Sequence, residues 1–243
     1  PDGDQMVRKL AQRLVAFDLL EPASLLLQYQ VDNRIRGVGK AAVAVDLATI
    51  YLWDKRPDKA LAAINTTRQP QLPKELALER RLLEAAAYRD LGQFDHVIEL
   101  VEPLEGVEAK SLLADAYWRD RKWPEASKAL MSMLAPAGQA QKKDGDTIFK
   151  TAIAARMAKD AGMIAQLRAY DGAMNGNANK ASFDLITSQT DVSGAALSEA
   201  VRRLADAPKV DAFAAAMKQR FEAPKTTSGP TAAAATTTSG GSR

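Results

Sequence analysis

The chain of 243 residues contains no cysteine and a single histidine. Without cysteine it can form neither disulfides nor thiolate metal sites, and it has no cysteine nucleophile. A lone histidine, His96, also excludes most zinc sites and Ser–His–Asp catalysis. We therefore expect no metal site, no cofactor and no enzymatic activity.

The charge balance lacks an excess of one sign, since 33 basic residues face 30 acidic ones and leave a net charge of +3. Nucleic-acid-binding proteins concentrate Lys and Arg in a patch or stripe, and the sequence has no such stripe. It also has no apolar run that approaches the roughly eighteen residues of a membrane span. We expect a soluble protein without a nucleic-acid partner, and a cysteine-free chain fits the bacterial periplasm and the cytoplasm equally.

Aromatic residues make up only 6% of a sequence that is 47% hydrophobic, so Ala, Leu, Val and Ile must form the core. Such residues favour close helix–helix packing over a β-sandwich. Helical spacing begins at once, because Met6, Leu10, Leu14 and Phe17 share one predicted apolar face. The composition and this periodicity predict an all-α fold.

Pairs of short helices recur along the first half of the chain. Turn sequences separate the helices of a pair at Asp54–Pro57, around Gly92 and at Asp120–Lys122. The predicted pairs occupy about residues 4–37, 41–74, 78–106 and 107–135. Helix pairs at intervals of roughly thirty to forty residues are typical of a repeat array in which each pair stacks on its neighbours.

A spaced triplet of residues accompanies these pairs: a small residue, an aromatic residue three positions later, and a small residue nine positions further. Full copies are Ala48, Tyr51, Ala60 and Ala114, Tyr117, Ala126. The copy beginning at Ala11 has Leu14 in place of the aromatic residue, and the copy at Ala85 and Tyr88 ends on Val97. This pattern resembles the tetratricopeptide repeat family. The segments LVAFDLLEPASLLL and AVDLATIYLWDKRPDKALAAI look like the C-terminal portion of long bacterial members.

The resemblance implies a right-handed superhelical solenoid of antiparallel helix pairs with C-terminal capping helices. It also implies a longer parent chain with further repeats upstream. In this family the first helices of the pairs line a concave groove that binds proteins or peptides. The implied groove residues here are Arg8, Gln12, Asp46, Thr49, Trp53, Leu82, Arg89, Ser111, Asp115, Trp118 and Arg119.

Two features limit what can be predicted about this groove. Trp and Arg are the residue types that most often anchor interfaces, but Trp53 and Trp118 are equally compatible with packing inside the solenoid. Family members that clamp a C-terminal carboxylate use paired Lys and Asn, whereas Val45, Thr49, Leu82 and Ala86 stand at the matching places. We therefore expect that the groove does not bind the C-terminal tail of a chaperone.

The repeat pattern weakens after residue 145. We predict a degenerate repeat and capping helices over 145–222, with a turn at Gly162 and short helices at 178–187, 194–206 and 209–222. Residues 223–243 are rich in Thr, Ala, Ser and Gly, and they are predicted to be a disordered tail.

Three further patterns have both a functional and a structural interpretation. His96 is a possible ligand or base, but without evident partners it is better explained as a solvent-facing helix residue. The acidic series Asp95, Glu99, Glu102, Glu105 and Glu108 is a possible docking stripe or cation site, and a solvated helix face is favoured. Gly37 and Gly39 are interpreted as the end of the second helix, since a phosphate-binding loop would follow a strand.

The sequence as a whole favours a non-enzymatic scaffold or adaptor that holds a protein or peptide in its groove. The alternative is a structural module that self-assembles or stacks on further repeats of a longer parent chain. An enzyme hidden in residues 145–222 is disfavoured, because no nucleophile, base and orienting group can be assembled there. The identity of the partner does not follow from these patterns.

Overall fold

The computed structural model describes residues 2–188, 217–219 and 221. These residues are largely helical and include no β-strand, so the all-α prediction is confirmed. The α-helices of residues 2–188 are α1 (Asp2–Ala16), α2 (Leu20–Asn33), α3 (Gly37–Trp53), α4 (Pro57–Thr66), α5 (Lys74–Asp90), α6 (Phe94–Val101), α7 (Val107–Arg119), α8 (Trp123–Met131), α9 (Gly145–Met157), α10 (Ala161–Leu167) and α11 (Lys180–Thr187). Residues 217–219 and 221 are also helical, whereas the predicted helix 194–206, most of the predicted helix 209–222 and the tail 223–243 lie outside the described residues.

Short 3₁₀ segments connect and extend the later helices. They are Ala137–Gln139 and Lys142–Asp144 before α9, and Arg168–Met174 after α10. The carbonyl groups at the end of α11 are covered by two arginine side chains. Arg156 donates to the carbonyls of Ile186 and Ser188, and Arg168 Nε donates to the Thr187 carbonyl at 2.8 Å. Guanidinium groups therefore satisfy acceptors that a helix end leaves without intrahelical partners.

The helices pack against one another in the order in which they occur in the sequence. Each helix from α1 to α8 contacts the next one, and α8 contacts α9. In addition, α3 contacts α5 and α5 contacts α7, so the first helices of successive pairs adjoin. The odd-numbered helices α3, α5 and α7 thus form a continuous layer.

One type of turn closes five successive helix pairs. Its central residue has a left-handed φ of between 56° and 74°, at Asp18, Lys55, Gly92, Arg121 and Lys159. The following N–H donates to the carbonyl five residues earlier, at 2.8–2.9 Å, in every case. The central N–H donates to the carbonyl three residues earlier. This pair of bonds defines the Schellman motif, which satisfies carbonyls at the end of a helix.

The turn of the fifth pair is not where the sequence predicts it. Gly162 lies in the first turn of α10, and the left-handed residue is Lys159. The Asp160 side chain accepts a hydrogen bond from the Met163 N–H at 2.9 Å and so caps α10. An N-cap aspartate therefore fixes the helix start, and the glycine is not needed for the turn.

The small residues of the repeated triplet are buried. Ala11, Ala23, Ala48, Ala60, Ala85, Ala114 and Ala126 are all at most 2% exposed. The fifth pair carries the same spacing as Ala152, Ala155 and Ile164, and these three residues are also buried. Because alanine replaces the aromatic residue there, the triplet is not evident from sequence. Small side chains at these positions allow the paired helices to approach closely.

Buried side chains form two large apolar clusters and a small one between them. The N-terminal core extends from α1 to α7 and includes Met217 and Phe221. The C-terminal core is formed by α9, α10, α11 and the intervening 3₁₀ segment, around Phe149 and Phe183. Ala114, Ala126, Leu130 and Ala154 make up the small cluster that joins α7 and α8 to α9.

Two details near the N-terminus correct the sequence analysis. The predicted apolar face of α1 is largely exposed, because Met6, Leu10 and Phe17 are 70%, 50% and 78% accessible while Ala11 is buried. Gly37 begins α3 and does not end α2, which stops at Asn33. Its φ of +59° lets the chain turn directly into α3.

Candidate functional site

The implied groove residues lie on α1, α3, α5 and α7, but four of them are largely enclosed. Thr49 and Leu82 are 2% exposed, and Thr49 Oγ1 donates to the Val45 carbonyl within α3. Asp46 and Arg89 are 6% and 9% exposed. Contacts of α3 with α4 and α5 account for part of this burial. Leu82 and Thr49, which the resemblance implied as groove residues, are therefore buried in the core.

The other implied residues fall into two separate clusters. The first, which we call the N-terminal site, consists of Arg8, Gln12 and Trp53 together with Phe221. The second, the Trp118 cluster, consists of Asp115, Trp118, Arg119, Trp123 and Lys150. Ser111 is half-buried on α7, one turn before Asp115. The single continuous groove implied by the resemblance is thus represented by two distinct groups of side chains.

At the N-terminal site a helical residue from the far end of the chain packs on α1 and α3. Gln12 Nε2 donates a hydrogen bond to the Phe221 carbonyl at 3.1 Å. The rings of Phe221 and Trp53 meet edge to face, with centroids 5.3 Å apart and an interplanar angle of 75°. Met217 and Phe221 are only 3% and 5% exposed. This contact therefore combines aromatic packing with a directed polar bond.

A cavity of about 690 Å³ lies beside this contact. It is lined by Lys9, Gln12, Arg13, Val15, Ala16, Asp18, Leu20, Trp53, Lys218 and Phe221. Three of these side chains are cationic and one is anionic, so the rim is positive. Arg8 Nε, on the helix turn before Gln12, is buried and has no hydrogen-bond partner among the described residues. The site therefore combines an apolar wall with cationic side chains and one unsatisfied hydrogen-bond donor.

The Trp118 cluster joins three helices. The rings of Trp118 and Trp123 meet edge to face at 5.3 Å, and Lys150 Nζ lies 4.9 Å from the Trp118 ring centroid. Asp115 pairs with Arg119 Nε at 2.8 Å and with Lys150 Nζ at 3.7 Å. The ring contact links α7 to α8, and the cation–π contact and the Asp115–Lys150 ion pair link α7 to α9, whereas the Asp115–Arg119 pair lies within α7.

An ion-pair group borders the same turn. Lys122 Nζ lies 2.8 Å from Asp120 and 3.0 Å from Asp95, which ties the start of α6 to the turn between α7 and α8. Hydrogen bonds to Asp120 and Asp95 raise the pKa of Lys122 above its usual value. Lys122 is therefore a fixed positive charge at neutral pH.

The residues considered for chemistry are dispersed. His96 is exposed, as predicted, and its ring stacks on Tyr88 with centroids 4.8 Å apart. The acidic series does not follow one helix, because Asp95 and Glu99 lie in α6 and Glu108 lies in α7. Within residues 2–188, 217–219 and 221, no group of three or more His, Asp or Glu side chains is placed to hold a metal ion.

None of the helices in the described part of the chain is both long enough and apolar enough to cross a bilayer.

Sequence reasoning missed three residues that pack at these clusters. Lys150 lies on α9, in the region where the repeat is degenerate, and nothing in its local sequence indicates a contact with Trp118. Phe221 and Met217 do carry a signal, since they stand four residues apart in a predicted helix. Only the fold shows that this pair lies against α1 and Trp53.

Comparisons of the chain with protein-family models, with curated proteins and with solved structures find no match. The N-terminal site and the Trp118 cluster are therefore the structural basis for a functional proposal.

Proposed function

We propose that the chain is a non-enzymatic scaffold that binds a protein or peptide on the surface of its first helices, within a solenoid of the tetratricopeptide-repeat type. The observation that carries the proposal is the contact of the helical residue Phe221 with Gln12 and Trp53. A surface that accepts one helix through an aromatic contact and a side-chain hydrogen bond has the chemistry needed to accept another. The repeated Schellman turn and the buried small residues support the repeat architecture.

The Trp118 cluster offers a second contact area for the same function. Trp118 is half-buried and its charged neighbours Asp115 and Arg119 are partly exposed. Tryptophan and arginine are among the residue types that most often dominate binding energy at interfaces. The proposal therefore assigns partner contacts to both the N-terminal site and the Trp118 cluster.

Crosslinking and affinity capture with the recombinant chain test this proposal. We expect the double variant Trp118→Ala/Arg119→Ala to lose partners that the unmodified chain captures. Tyr29→Ala is the matched control, because Tyr29 is a 59% exposed aromatic residue on α2, outside both clusters. Equal capture by all three proteins would refute a role for the Trp118 cluster.

A second candidate function is stacking of a further helix pair on α1. Met6 and Leu10 are exposed, whereas Val43 and Leu47, at the corresponding distances before the turn of the next pair, are fully buried. Those positions of α3 lie in a helix that packs against the preceding α2. An additional helix pair, from another copy or from a longer chain, would bury Met6 and Leu10 in the same way.

Sedimentation velocity over a concentration series tests self-association through this face. If copies stack, the sedimentation coefficient should rise with concentration, and Met6→Glu/Leu10→Glu should abolish the rise. Leu25→Glu serves as the control, since Leu25 is a 64% exposed leucine on α2. A concentration-independent coefficient for the unmodified chain would exclude self-stacking.

A further inference from the structure

The contact at the N-terminal site joins residues that are far apart in sequence. The Phe221 carbonyl and the Gln12 amide are separated by 209 positions, yet the bond is 3.1 Å long. Met217 and Phe221 belong to the same apolar cluster as α1–α7, and the intervening Lys218 and Gln219 are exposed. The segment therefore presents one apolar face to the site and one polar face to solvent, as an amphipathic helical ligand does.

We infer that the N-terminal site is a receptor for a short amphipathic helix that carries an aliphatic or thioether side chain and an aromatic side chain four residues apart, and that residues 217–221 occupy it in competition with a partner's helix. The inference rests on the proposed scaffold function. It goes further by specifying the chemistry of the partner and the state of the site in the isolated chain.

The polar groups around the site specify the partner further. Gln12 donates to a main-chain carbonyl, and carbonyls free to accept side-chain donors are found mainly in the last turn of a helix. Lys9 and Arg13 add positive charge at the cavity rim, which complements the negative end of a helix dipole. Arg8 Nε offers a further donor one turn away. The expected partner helix therefore docks through its C-terminal turn and carries acidic residues there.

Occupation by the chain's own segment lowers the apparent affinity for any partner. A tethered segment acts at a high effective concentration, so a free helix of equal intrinsic affinity binds only a small fraction of the molecules. The cavity beside Phe221 leaves space for a side chain larger than those of the resident segment. A partner with a bulkier residue adjoining its aromatic anchor would therefore displace residues 217–221.

Fluorescence anisotropy with a labelled peptide of residues 209–222 tests the inference in the full chain. We expect Met217→Ala/Phe221→Ala to bind the peptide at least about tenfold more tightly than the unmodified chain, because the competing segment is weakened. Gln219→Ala, an exposed change in the same segment, should behave like the unmodified chain. Adding Trp53→Ala to the double variant should remove the gain. A peptide with alanine in place of its methionine and of the phenylalanine equivalent to Phe221 should not bind.

Hydrogen–deuterium exchange of the unmodified chain supplies a readout that does not depend on the folding of any variant. Saturating peptide should accelerate exchange in the fragment containing residues 217–221. Equal peptide affinity of the unmodified chain and the double variant, peptide binding that is insensitive to Trp53→Ala, or no peptide binding at all would overturn the inference. Partner capture that still depends on Trp118 and Arg119 would then leave the scaffold proposal standing.

Discussion

Helices α1 and α3 occupy equivalent places in the first two helix pairs, but their surroundings differ. When the pairs are aligned on Asp18 and Lys55, the left-handed residues of their turns, Ala11 corresponds to Ala48 and both are buried. Leu10 corresponds to Leu47, yet the first is 50% exposed and the second is fully buried. Helix α3 packs against α2, α4 and α5, whereas α1 packs against α2 and contacts residue 221 through Gln12.

This difference shows that two levels of packing contribute to the repeat. The burial of the alanine depends on contacts within a pair, which every pair makes. The exposure of Leu10 depends on contacts between pairs, and these differ with what lies beside the helix. The same apolar side chain is therefore a core residue in one pair and an available binding surface in another.

Truncation of the equivalent leucines of α1 and α3 should give the largest difference in stability between the two helices. Leu47→Ala should lower the free energy of unfolding by about 3 kcal/mol, because it leaves a cavity in a close-packed site. Leu10→Ala should change it by no more than about 0.5 kcal/mol, since its side chain is half in solvent. Urea denaturation followed by circular dichroism measures both. Equal losses for the two variants would mean that α1 is covered in solution.

A charged residue at the same repeat position sharpens the comparison. Arg80 of α5 corresponds to Met6 and Val43, and it is 5% exposed. Its guanidinium donates to the carbonyls of Ala41 and Ile64 at 2.9 Å and 2.6 Å, and to Thr67 Oγ1 at 3.1 Å. These bonds hold α5 to α3 and to the end of α4.

We expect Arg80→Met to destabilise the protein by about 2 kcal/mol, because two buried carbonyls lose a charged donor. Thermal unfolding monitored by calorimetry is the appropriate measurement. Lys74→Met is the control, since Lys74 is an exposed cation of the same helix. A loss no larger than that of the control would show that water replaces the guanidinium.

Substitutions in the turns should have smaller effects on stability, and they test the left-handed conformation that all five pairs share. Gly92→Ala should cost about 1 kcal/mol, because alanine is strained at its φ of +74° although no atom lies within 4 Å of the new Cβ. Lys55→Gly should raise stability by about 0.5 kcal/mol, since it relieves the same strain at a φ of +57°. Chemical denaturation measures the free energy of unfolding of both variants. If both free energies change in the same direction, the two turns do not share this conformation.

The smallest effect concerns the pairing of α1 with α2. Arg34 Nε donates to Asp4 Oδ1 at 3.0 Å, and Gln30 Nε2 donates to the same oxygen at 3.3 Å. The Arg34 bond, followed by the Gln30 bond, holds the pKa of Asp4 below its usual value. Stability from this carboxylate is therefore present above the pKa of the unfolded chain and is lost as pH falls through the lowered folded value.

NMR titration of the Asp4 carboxyl group should show this depressed pKa. Arg34→Gln should return it toward the ordinary value of about 3.9. Arg36→Gln, an exposed change in the following loop, should leave it unchanged. An identical Asp4 titration in the unmodified chain and Arg34→Gln would show that the pair does not persist in solution.

Much of the helix layout is predictable because its signals are local. Turn sequences around Lys55, Gly92 and Arg121 mark the turn within each pair, and the small residues of the triplet mark buried positions. Gly162 misled the prediction because a glycine permits a left-handed turn but does not require one, and other residues can take that conformation. Lys159 takes that conformation within a Schellman motif whose hydrogen bonds compensate the strain.

The candidate site is less predictable than the fold. Gln12 and Trp53 could be selected from the repeat pattern, but Thr49 and Leu82 were selected by the same pattern and lie in the core. A small rotation of a helix about its axis decides which side chains face a neighbour. That rotation depends on the packing of adjacent pairs and is not encoded in the spacing of one helix.

The sequence by itself determined the helical class, the pairing of helices and the lack of thiol and multi-histidine chemistry, because these follow from composition and from contacts between near neighbours in the chain. Only the tertiary structure decided that Phe221 meets Trp53, that Lys150 meets Trp118 and that Met6 and Leu10 remain exposed. Those outcomes depend on which distant surfaces are left available once the helices have packed.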